Sequence, residues 1–98
     1  MNNKIELTID KNKYTIVLTK HADKRMSERN IDPFVVVGNI IVLGKERLSN
    51  FHNTEAMIID EDRDTSFVIG VNKETITIIT VIDKSNIFVK TNTQVVNL

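Results

Sequence analysis

At 98 residues, with 41% hydrophobic side chains, the chain has the size of one domain with one modest core. It holds no cysteine, which excludes a disulfide framework and a thiolate metal site. Its 13 basic residues balance 13 acidic ones, which speaks against a strong non-specific nucleic-acid binder.

The first elements read as a hairpin. Ile5, Leu7 and Ile9 alternate with polar residues, Asp10-Lys11-Asn12-Lys13 carries turn chemistry, and Tyr14, Ile16 and Leu18 alternate again. Thr19 then suits the N-cap of a short helix that ends near Asn30, a residue tolerant of the left-handed conformation. On that helix His21, Arg25 and Arg29 recur every four residues and so share one face, a cationic strip beside the apolar Ala22 and Met26. Asp32 caps a second helix, and Pro33 fits its first turn. Phe34, Val37, Ile40 and Ile41 lie on one face of this helix, and neighbouring valines and leucine widen the apolar surface, so it is expected to be largely buried. Gly44 fits the stop.

Residues 45–53 read as a loop or as a short strand over residues 47–51. Strands follow at residues 56–60, 65–71 and 75–82, separated by a charged turn at residues 61–64 and a turn at Asn72-Lys73-Glu74. Residues 83–86 read as a turn and residues 87–90 as a short edge strand, with residues 91–98 a loosely ordered tail. The expected fold is therefore α+β: an N-terminal β-hairpin, two helices, then an antiparallel β-meander with both helices on one sheet face, all within one domain over residues 1–98.

Charge is uneven along this order. Residues 1–31 hold seven basic and four acidic residues, whereas residues 46–64 hold two basic and six acidic ones. The longest apolar run, residues 34–43, falls short of the ~20 residues of a membrane-spanning helix, and the first residues lack the apolar stretch of a secretory signal. These features point to a soluble, cytoplasmic protein with no membrane partner. No cofactor and no metal is expected. His21 and His52 have no metal-motif spacing to a further ligand, and the acidic turn at residues 60–64 lacks the glycine and the later glutamate of a calcium loop. His52 reads as a surface histidine.

The pattern His-x-x-x-Arg-Met-x-x-Arg-x-Ile, formed here by His21, Arg25, Met26, Arg29 and Ile31, resembles the opening helix of a family of small bacterial and phage domains of unknown function. That family is grouped with the RelE/ParE-like toxins of the barnase–EndoU–colicin–RelE nuclease superfamily. The resemblance extends loosely over residues 14–82, through the strand ending Leu18-Thr19-Lys20, the helix opened by Asp32-Pro33 and the strand Thr77-Ile78-Ile79-Thr80-Val81. It implies a RelE-like fold and metal-independent endoribonuclease chemistry, in which a 2′-hydroxyl attacks the adjacent phosphate with acid–base and cationic assistance. On that footing His21 is the acid/base, Arg25 a phosphate clamp, Arg29 a second clamp or outer electrostatic group, and Thr80 a substrate-orienting group. The implied partners are RNA, with or without the ribosome, and a protein antitoxin. The competing expectation is a non-catalytic interaction module of the same fold, of phage or mobile-element origin. Either a monomer or a homodimer paired through a sheet edge fits the sequence.

Overall fold

A computed structural model describes residues 4–87 and 94–98. The elements run β1 (Lys4–Ile9), β2 (Asn12–Leu18), α1 (Lys20–Glu28), α2 (Pro33–Asn50), β3 (Glu55–Asp60), β4 (Thr65–Asn72), β5 (Thr75–Ile82) and β6 (Gln94–Asn97). This is an α+β fold with one six-stranded sheet in the order β1-β2-β5-β4-β3-β6.

Local chemistry explains the boundaries. Asp10 and Lys11 both have positive φ (49° and 69°), the mark of a two-residue type I′ turn, so the first hairpin is tighter than the four-residue turn expected. Thr19 caps α1: its Oγ1 accepts from the Ala22 amide at 3.0 Å. At the far end Asn30 takes the left-handed conformation (φ 54°), and the Ile31 amide donates back to the Met26 carbonyl, which closes the helix in a Schellman motif. Asp32 caps α2 through its bond from the Phe34 amide at 2.9 Å, with Pro33 in the first turn.

Gly44 does interrupt α2, at φ 77° and ψ 166°, but the chain does not leave the helix for a loop or strand as expected of residues 45–53. A second helical piece continues to Asn50. Its reason is packing: Leu48 and Phe51, one turn apart, are both buried in the core. Its first amide, on Lys45, is capped from a distance by the Asp10 carboxylate of the first hairpin at 2.8 Å.

The core lies between the helices and one sheet face. It is built from Ala22 and Met26 of α1, from Val36, Ile40 and Leu43 of α2, and from alternate strand residues such as Ile16, Ile58, Phe67 and Ile76. Met57 and Ile59 are also buried but belong to the other face, outside that cluster. On β5 the alternation breaks. Ile78 pairs with Ile69 and Thr80 with Val68, so Ile79 is the extra residue of a β-bulge. The bulge places Ile79 and Thr80 together on the face away from the helices and returns Val81 to the core.

Two features of the sheet depart from expectation. The meander is antiparallel only through β3, β4 and β5, whereas β2 pairs with β5 and β6 pairs with β3 in parallel. Residues 94–97 form a strand rather than a loose tail, because the backbone of β3 offers them a free edge. Of the edge strand expected at residues 87–90, Ile87 is not in a strand, and the rest lies outside the described residues. Among the described residues, no helix is long and apolar enough to cross a membrane.

Candidate functional site

β2 stops at Leu18, opposite Ile78, while β5 runs on to Ile82. The carbonyls of Ile79 and Val81 are therefore left without a strand on that side. The two ends of α1 replace it. Thr19 Oγ1 donates to the Ile79 carbonyl at 2.8 Å, and the Arg29 guanidinium donates to the Val81 carbonyl at 3.2 Å. Arg29 also pairs with Asp83 at 3.5 Å. The helix carrying the cationic strip is thus fastened at both ends to the second half of β5. Thr19→Ala removes the cap and the Ile79 partner together, and should lower stability by about 1–2 kcal/mol in urea denaturation. Thr19→Ser should restore most of it, and a loss as large in the serine variant would assign the effect to the methyl group instead.

The four candidate site residues, three from the helix motif and Thr80 from β5, fare differently. His21 is exposed in the first turn, and its side chain makes no hydrogen bond or ion pair among the described residues. Beside it the Lys20 and His21 amides, which have no carbonyl one turn earlier to bond, are likewise without partners among the described residues. Arg25 is half-buried and pairs with Glu28 at 3.6 Å, one turn along the same helix. Such surface pairs contribute about 0–1 kcal/mol, so this one is readily exchanged. Arg29 is committed to Val81 and Asp83, and it borders a cleft of about 420 Å³ that also holds Asp32, Arg63, Asp64 and Asp83. Three carboxylates there oppose a second anion. Thr80 stands half-buried on the sheet face away from the helices, and no hydrogen bond or ion pair joins it to His21, Arg25 or Arg29. The structure thus brings α1 to β5 but does not draw the four side chains into one cleft.

A different group does converge, at the opposite end of the sheet. His52, the following Asn53 and Thr54 are laid against the end of β4: the Asn53 amide donates to the Val71 carbonyl at 2.8 Å, and the Val71 amide to the Thr54 carbonyl at 3.3 Å. This brings His52 beside the β4–β5 turn, where the Lys73 amide donates to His52 Nδ1 at 3.2 Å. With Nδ1 accepting, the ring proton sits on Nε2. His52, Lys73 and Glu74 share a cavity of about 590 Å³ with Tyr14 of β2 and Lys45 of α2. The sequence hides this set, because its members come from four separate elements.

Asp60, at the end of β3, is the most buried acid, 4% exposed. Burial works against its ionisation. The hydrogen bonds from Asn39 and from the Arg63 amide and guanidinium, with the Arg63 charge, outweigh this and hold its carboxyl below the usual range. This cluster is closed on itself and reads as structural. Among the described residues, no three His, Asp or Glu side chains stand together as a metal-ligand set.

No family model matches the chain, and neither the curated proteins nor the solved structures include one similar to it.

Proposed function

We propose that the chain is a cytoplasmic, RelE/ParE-like, toxin-type domain that cleaves RNA without a metal, at the N-terminal end of α1. The observation that supports this reading is the double fastening of α1 to β5, which fixes an exposed His21 and two amides, unpartnered among the described residues, at the start of a held helix. A helix start favours a bound anion, and Arg25 one turn on can exchange Glu28 for a phosphate. In the reaction the 2′-hydroxyl gives its proton to His21, its oxygen attacks the adjacent phosphorus, and the 5′-oxygen leaves with a proton from solvent. The products are a 2′,3′-cyclic phosphate end and a 5′-hydroxyl end. Arg25 neutralises charge on the pentacoordinate phosphorus. Arg29 serves as the fastener rather than as a clamp, and Thr80, on the face away from α1, takes no part in the reaction. A protein antitoxin is the partner such a toxin implies.

The test is parallel expression of wild type and His21→Ala, with growth and total RNA integrity measured, then cleavage of a labelled RNA by purified protein in chelator. Wild type should arrest growth and fragment RNA, and His21→Ala should cleave at least about 100-fold more slowly. Intact RNA and healthy growth with folded wild type would sink the nuclease reading.

One observation favours a second reading, the non-catalytic interaction module. Phe34 (74% exposed), Ile41 and Val42 form an exposed apolar stripe along α2, which corrects the expectation that Phe34 and Ile41 lie in the core.

A further inference from the structure

We infer that the cavity bounded by Tyr14, Lys45, His52 and Lys73 is a binding site for a small phosphate ester of nucleotide size. Its volume, about 590 Å³, lies within the range of small-molecule sites. Its chemistry is that of an anion receptor with a hydroxyl acceptor. Lys45 and Lys73 bring two positive charges, and His52 presents Nε2–H because Nδ1 is already used. Among the described residues of the lining Glu74 is the one carboxylate, placed to accept from a sugar hydroxyl. Leu48 and Val71 supply an apolar wall for a base or other flat group.

The second, independent observation is Tyr14. It is 6% exposed, lines this cavity, and its hydroxyl makes no hydrogen bond among the described residues. A phenol in the wall of an open cavity, with no protein partner among the described residues, is free to donate to a ligand or to water. Burial, with the nearby charges of Glu74 and Asp10, raises the Tyr14 pKa, so the phenol stays a donor at neutral pH. An adjoining cleft of about 450 Å³ shares Tyr14 and Glu74 but sets Glu6 and Glu74 against Lys13 alone, and so repels an anion. The cavity lies at the start of β2 and β5, roughly 20 Å by strand rise from the α1 fastening at their ends. It is therefore a separate site, and its test reads binding alone, so it stands or falls independently of RNA cleavage.

The experiment is a titration of isotope-labelled full-length protein with adenosine 5′-monophosphate, with adenosine and inorganic phosphate as comparison probes, followed by amide chemical shifts. The nucleotide should shift the Tyr14, His52 and Lys73 signals saturably, phosphate the same signals more weakly, and adenosine none. Tyr14→Phe removes one oxygen, preserves the ring, and should weaken nucleotide binding about tenfold, as should Lys73→Ala. The inference is overturned by an absence of saturable shifts up to about 10 mM nucleotide, the affinity range below which a site has little meaning. It is equally overturned if adenosine matches the nucleotide, or if folded Tyr14→Phe and Lys73→Ala proteins both bind as wild type does.

Discussion

Gly44→Ala is expected to lower the unfolding free energy by about 3 kcal/mol, through backbone strain of about 1–3 kcal/mol and damage to one hydrogen bond. At φ 77° and ψ 166° the residue occupies a region open essentially to glycine alone. A Cβ there would also stand 3.1 Å from Asp10 Oδ2, the atom that caps the Lys45 amide. The added methyl thus strains the backbone and pushes away the group that starts the second half of α2. Asp10→Gly removes the cap while leaving a residue suited to the positive φ of the first turn, and should cost about 1 kcal/mol. Urea denaturation of the two variants separates the contributions. Equal losses in both would show that the backbone at position 44 relaxes without strain.

Asn39→Asp should be similarly damaging at neutral pH, by about 2 kcal/mol, for an electrostatic reason. The Asn39 amide donates to Asp60 Oδ2 at 3.0 Å, and both residues are buried. The substitution replaces a donor with a second carboxylate at the same distance. Asp60 in the wild type has a lowered pKa, so it contributes stability above the unfolded carboxylate pKa of ~3.9, lost as pH falls through the folded value. In the variant the new carboxyl has a raised pKa, so its penalty is full at high pH and disappears as protonation proceeds. The melting temperatures of wild type and variant should therefore converge between pH 7 and about pH 4. A gap that stays constant over that range would mean that the loss is steric.

The helix boundaries were legible because they rest on local chemistry: Thr19, Asn30, Asp32 with Pro33, and Gly44 all sit where their side chains or φ preferences act. The continuation past Gly44 was not. Its signal, Leu48 and Phe51 one turn apart, is too short to separate from a strand or loop. The bulge left a trace as well. In Thr-Ile-Thr-Ile-Ile-Thr-Val the doubled Ile78-Ile79 breaks the period of two, and reading it would have put Thr80 on the face away from α1. The parallel pairings are long-range and leave no local mark. For the same reason the cavity around His52 could not be read from the sequence, since Tyr14, Lys45 and Lys73 meet it only in three dimensions.

The parallel pairing of β2 with β5 has a consequence for biosynthesis. Thr15 pairs with Thr75, and Thr19 bonds to Ile79, across 60 residues of intervening chain. At about 5–20 residues per second, β2 leaves the ribosome roughly 3–12 s before the strand that completes it. The first hairpin and α2 can form in that interval, whereas α1 has neither of its anchors. A nascent or truncated chain that stops before residue 75 therefore presents an open β2 edge and an unfastened α1. It is β5, made after β2, α1 and β4 that it joins, that commits the chain to its fold.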